Sequence, residues 1–173
     1  SGADLANLMN EGAILAAREN RNKVTQYDLI RSVEKVMLGP ERKSRVITER
    51  EKKIIAYHEG GHALLASVLP HADPVHKVTV VARGHAGGYT LKLPLEERRL
   101  QSKKEFLDDI VAALGGYTAE RFIFDDLTTG ASNDISVATA LARDMVTRYG
   151  MSDAIGPVAF REGGGALYQD GRV

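Results

Sequence analysis

Apolar positions recur three and four residues apart along five stretches of the chain, the spacing that gathers them on one face of a helix. From Ser1 to about Asn20 the stripe is Leu5, Leu8, Met9, Gly12, Leu15 and Ala16, with Ser1 as N-cap and Asp4 three residues on. After the polar turn Asn20–Lys23, a second start signal, Thr25 with Asp28, precedes Leu29, Ile30, Val33, Val36 and Met37, and Gly39–Pro40 ends it. Thr48 and Glu51 open a third helix that runs to Leu69 before Pro70; its stripe is Ile54, Ile55, His58, His62, Leu65 and Leu69. Ser102 to about Phe124 predicts one long helix through Phe106, Ile110, Leu114, Thr118 and Phe122, and Ile135 to Tyr149 predicts the last, closed by Gly150.

Only one stretch departs from this period. His76–Val81 is β-branched and extended, Gly84–Gly88 makes a connection, and Tyr89–Leu93 returns as a second strand. The fold class is therefore mainly α with a small β-hairpin, an α+β domain. Glu41–Val46, with Arg42, Lys43 and Arg45 and little apolar content, reads as an exposed connector, and the domain boundary is placed there. The two helices before it are too short to enclose a core alone. They either cap the domain that follows or are the remnant of a neighbouring one. Arg161–Val173, with Gly163–Gly165, has no periodicity and is expected to be loose, and both chain ends resemble cuts in something longer.

Composition narrows the chemistry. The 173 residues hold equal totals of 23 basic and 23 acidic residues, so no global positive field argues for nucleic acid or an anionic membrane surface. No apolar run has the length of a membrane span. With no Cys, thiol catalysis and Cys-type zinc sites are excluded, and any metal must be held by His and carboxylates.

His58-Glu59-Gly60-Gly61-His62 meets that requirement. Two histidines four apart on a helix present their rings on one side, and Glu59, about 100° around, reaches a water bound to the same ion, as a zinc peptidase needs. Gly60 and Gly61 cost roughly 1 kcal/mol each in a helix, so something is expected to approach that face closely; Gly115–Gly116 are expected to do the same in their helix. A catalytic zinc takes three protein ligands. Leu65 and Val68 occupy the positions where an extended motif would put Gly and a third His. Asp134, where a Ser/Asn-rich loop becomes a helix, is the best candidate; an acidic residue favoured there by the helix dipole is the equal alternative. His71, His76 and His85 lack ligand spacing and read as surface residues. Tyr89, Thr90 and Leu91 form a candidate edge strand for binding an extended substrate.

His58–Ala63, the segment Gly115-Gly116-x-x-Ala119-Glu120, and Thr129–Asp134 followed by Ala138-x-x-Leu141-Ala142-x-x-Met145-Val146 together resemble the FtsH family of membrane-anchored, ATP-dependent zinc metalloproteases. Ser1–Leu5 and the hairpin after it resemble the end of that family's AAA+ module. The resemblance implies helices of an AAA+ lid over 1–39, a linker over 40–47 and a helical zinc metallopeptidase domain over 48–173. It implies His58, His62 and Asp134 as zinc ligands, Glu59 as the catalytic carboxylate and Glu120 in support beside the metal. Gly60 stands where the family more often has Ala, Tyr117 where Arg is common and Arg121 where a second Glu is common.

The resemblance also implies polypeptide substrates, unfolded or membrane-embedded. It implies a homo-oligomer, hexameric in a full-length protein at the cytoplasmic face of a bacterial inner membrane or its organelle equivalent. Membrane contact is expected only through segments this chain lacks, and ATP with Mg²⁺ only in the full-length protein, because no Gly-x-x-x-x-Gly-Lys-Ser/Thr loop is present. The alternative reading is a non-catalytic helical assembly module.

Overall fold

The computed structural model describes residues 1–39, 47–81, 87–93 and 100–160. The connector at 41–46, His85, and the tail at 161–173 lie outside the described residues. The chain divides into two compact units, the described residues of 1–49 with those of 80–89, and of 50–79 with those of 90 onward.

The first unit is a helical hairpin. Helix α1 (Gly2–Arg18) starts from Ser1, whose hydroxyl accepts from the Asp4 N–H while the Asp4 carboxylate accepts from the Ser1 amine. Helix α2 (Gln26–Leu38) starts from Thr25 with the same reciprocal bonding to Asp28. Each box satisfies amide groups that the first helical turn leaves without partners. Gly12 lets the two helices close, since a Cβ there would sit 3.1 Å from Leu29 Cδ2 and 3.3 Å from Val24 Cγ1. Asp28 has none of its surface exposed and lies in the fork of Arg21, at 2.8 and 2.5 Å. The Arg21 guanidinium, helped by the Thr25 amide, holds the Asp28 carboxyl well below the usual carboxylate range. Arg21 also reaches Glu19, which in turn accepts from Arg31.

The second unit is built on helix α3 (Glu49–Val68). Strands β1 (Val75–Thr79) and β2 (Tyr89–Lys92) follow, paired so that the Leu93 N–H meets the Pro74 carbonyl and the strands run antiparallel. Next come α4 (Lys103–Ala113), α5 (Gly115–Phe124), a 3-10 turn (Thr129–Ala131) and α6 (Ser132–Thr147). Phe106, Ala112, Ala131, Ala138 and Met145 are buried, and the Phe106 and Tyr149 rings meet at a tilt of 39° with centroids 5.3 Å apart. No helix among the described residues is long and apolar enough to cross a membrane.

Three expectations change. The single helix expected over Ser102–Phe124 is two, because Leu114, with φ −83° and ψ 3°, turns the chain between α4 and α5. The turn seats α5 on α3 at backbone contact. A Cβ on Gly61 would lie 2.3 Å from the Gly115 carbonyl oxygen, and one on Gly115 would lie 2.8 Å from Gly61. Periodicity cannot register a break of one residue that tertiary contact selects. Gly60 is expected to share this role and does not: a Cβ there would meet none of the described residues within 4 Å. Helix α6 also begins three residues earlier than its apolar pattern suggests, which places Asp134 inside the first turn.

Candidate metal centre

Helix α3 supplies the first two side chains of the centre. His58 and His62 project from one face, one turn apart, with ring centroids 4.8 Å apart and Nε2 atoms 3.1 Å apart. Helix α6 supplies the third. Asp134 Oδ2 stands 3.0 Å from His58 Nε2 and 3.2 Å from His62 Nε2. The three side chains are half-buried and their ligand atoms form one cluster able to hold a metal ion.

What fixes the rings is as informative as where they point. His58 Nδ1 donates to Glu120 Oε1 at 2.7 Å, and His62 Nδ1 donates to the Ala112 carbonyl at 2.8 Å. A carbonyl only accepts, so the Nδ1 of His62 carries the proton, and the Nε2 of the neutral ring has a bare lone pair. The Ala112 carbonyl belongs to the last turn of α4, where helix carbonyls lose their partners four residues on, so beside the Leu114 N–H it has a lone pair for His62. The break at Leu114 thus supports a histidine as well as turning the chain.

Glu120 is 1% exposed, and both its oxygens are engaged, Oε1 by His58 and Oε2 by the Thr128 N–H at 2.9 Å. One buried carboxylate therefore ties α3, α5 and the segment leading to α6. Gly116 makes room for this arrangement, since its Cβ would overlap the His58 ring at 2.4 Å.

Three acceptor atoms about 3 Å apart repel one another unless a cation lies between them. Two imidazole nitrogens and one carboxylate oxygen suit zinc, and an ion coordinated by protein alone would still lack the fourth ligand that a catalytic site leaves to water. Without metal, protons take the cation's place. Burial opposes charge on His58, but the carboxylates of Asp134 and Glu120 outweigh it and raise its pKa. Burial likewise pushes the Asp134 carboxyl up, and the two histidines more than offset this, holding it at about 2.

Glu59 follows His58 in sequence and is 7% exposed. Its Oε2 accepts from the Thr90 hydroxyl at 2.7 Å, and the same hydroxyl lies 3.1 Å from the Glu59 carbonyl. Burial pushes the Glu59 pKa up against the opposing pull of Thr90 and the two histidines. A carboxylate raised in this way is a stronger base.

The structure thus brings His58, His62, Asp134, Glu59 and Glu120 into one neighbourhood, with Thr90 against Glu59. Leu91 is buried, and Tyr89 groups with the first unit, where its hydroxyl lies 3.4 Å from Glu34. His76 is exposed; His71 is half-buried with its backbone N–H on Asp108. Tyr117 is half-buried and Arg121 exposed. Sequence reasoning missed the Ala112 carbonyl and the Thr128 amide, main-chain groups with no residue-type signature. It named Thr90 only as part of a strand.

The sequence profile of peptidase family M41 matches residues 45–172. The chain is 58% identical over 160 residues, 92% of its length, to the ATP-dependent zinc metalloprotease FtsH 1 of Sphaerobacter thermophilus, covering 24% of that protein. It is 53% identical to FtsH of Veillonella parvula over 94% of its length and 25% of the relative's. It is also 53% identical to FtsH 2 of Petrotoga mobilis over 96% of its length and 27% of the relative's. The chain therefore spans about a quarter of the length of these relatives.

Proposed function

The chain belongs to peptidase family M41, and from that premise we propose that it is a zinc endopeptidase domain that hydrolyses peptide bonds of unfolded or membrane-protein substrates. His58, His62 and Asp134 hold the metal and Glu59 is the base. What supports this reading is the convergence of three acceptor atoms within 3.2 Å of one another, each histidine having its other nitrogen tied to a fixed acceptor. An assembly module has no use for such a cluster, so the catalytic reading is preferred to the scaffold one.

Zinc, when bound, supplies Lewis acidity, making water a nucleophile near neutral pH and polarising the scissile carbonyl. The chain's own residues do the rest. Glu59 takes a proton from the attacking water and returns it to the departing amine nitrogen, leaving a carboxylate and a free amine. Its burial keeps competing water away and holds its basicity up. Glu120 and the Ala112 carbonyl hold the imidazoles in the tautomer that offers Nε2. The backbone of β2 is proposed to align an extended substrate by strand addition.

We extend the proposal to the whole protein: a homo-hexameric, ATP-dependent protease at the cytoplasmic face of a membrane, with residues 1–39 ending its ATPase module, 40–47 linking and 48–173 in the peptidase domain. The names of the relatives, ATP-dependent zinc metalloproteases, support the ATP-dependent protease part of this proposal.

The catalytic assignment is tested with Glu59→Gln. The variant should keep the zinc content of the parent and lose cleavage of an unfolded protein such as casein by at least about a hundredfold, the lower range for a positioned base. Full turnover in Glu59→Gln overturns the assignment of the base.

A further inference from the structure

We propose that Thr90 is a positioning residue for the reaction: its hydroxyl fixes the Glu59 carboxylate to strand β2, so that the base is held in one rotamer. The inference rests on the proposed role of Glu59 and goes beyond it, to what aims that side chain. Three observations carry it. The Thr90 hydroxyl is 2.7 Å from Glu59 Oε2, the shorter of its two contacts, so its one proton goes to the carboxylate. Thr90 Oγ1 also stands 3.1 Å from the Glu59 carbonyl, so the hydroxyl is seated against the backbone of the residue whose side chain it holds. Glu59 is 7% exposed, so water has little access to replace that bond.

A glutamate has three side-chain torsions, and a base must lie within hydrogen-bond reach of the proton it takes. A bond to Oε2 restricts those torsions and leaves Oε1 as the oxygen for proton transfer. Thr90 also lies on β2, between the buried side chains of Tyr89 and Leu91. Strand alternation sends its side chain to the opposite face from theirs. The pleat itself therefore aims the hydroxyl at α3 and keeps it there.

The test compares Thr90→Val, which keeps the shape and removes the donor, with Thr90→Ser, which keeps the donor and removes a methyl. Both are measured in the zinc-loaded protein on casein. Thr90→Val should lower kcat by roughly ten- to a hundredfold, the range for residues that orient a metal-site group, with KM and zinc content at parental values and a lower unfolding temperature, since the buried Glu59 oxygen loses its donor. Thr90→Ser should restore kcat to within about threefold of the parent, since the donor is retained.

A readout free of turnover runs beside it. Unfolding shifts of Thr90→Val and Glu59→Ala should be non-additive in the double variant, as for any two residues in contact. The inference is overturned if Thr90→Val keeps parental kcat, if Thr90→Ser falls as far as Thr90→Val, or if the unfolding shifts simply add. Loss of turnover in Glu59→Gln alongside a parental Thr90→Val would remove this inference and leave the base in place. Full turnover in Glu59→Gln would remove the base itself.

Discussion

The Cβ that Gly116 lacks would stand 2.4 Å from the ring of His58. A glycine on α5 is therefore part of how a histidine on α3 is aimed, although the two are far apart in sequence. Gly116→Ala should push the ring from its place between Glu120 and Asp134, costing about 1–3 kcal/mol of stability as an overpacked core does. Zinc affinity should fall with it. Denaturant unfolding and metal titration of the variant check both.

Adjacent glycines on α3 should respond in opposite directions. Gly60→Ala meets none of the described residues within 4 Å in mid-helix and should stabilise the protein by ~0.5–1 kcal/mol through helix propensity and reduced freedom of the unfolded chain. Gly61→Ala drives a methyl onto the Gly115 carbonyl at 2.3 Å, where backbone has nowhere to go, and should destabilise it by more than that gain. Chemical denaturation of the two variants against the parent gives both signs.

The difference between these glycines also marks the limit of what the chain's letters carry. Capping boxes at Ser1 and Thr25 are legible because they join residues three apart, while the one at Ser102 goes unread. The pair His58 and His62 was legible for the same reason, through the pitch of one helix. Asp134 lies 72 residues from His62, and local sequence leaves it balanced between ligand and helix-dipole roles; only the family resemblance favours the ligand. The bend at Leu114, the Ala112 carbonyl and the Thr128 amide were not legible, because backbone groups gain their roles only from tertiary neighbours. Gly60 and Gly61 look alike in sequence and differ only in what α5 brings against them.

Glu120→Gln should loosen the metal without removing a ligand. The buried carboxylate accepts from His58 Nδ1 and from the Thr128 amide, and a neutral amide has one acceptor oxygen where Glu120 has two. Zinc affinity should drop roughly ten- to a hundredfold, read by competition with a chromogenic chelator. Parental affinity would mean that the Glu120 contact does not orient His58.

The first unit should carry an acid-sensitive element of its own. Asp28 has its pKa depressed by Arg21, so its contribution is fully present above the unfolded carboxylate value, about 4, and is lost as pH falls through its lower folded value. Helical signal lost on heating should therefore come at progressively lower temperature below about pH 4. Asp28→Asn should be less stable at neutral pH and show a shallower decline on acidification. An unchanged acid slope in Asp28→Asn would place the sensitivity elsewhere.

The most direct measurement is the zinc content, by elemental analysis, of the purified protein and of Asp134→Ala. Three protein ligands predict about one equivalent of zinc per chain in the parent and a clear loss in the variant. Zinc that stays at parental stoichiometry in Asp134→Ala would contradict the centre built from His58, His62 and Asp134.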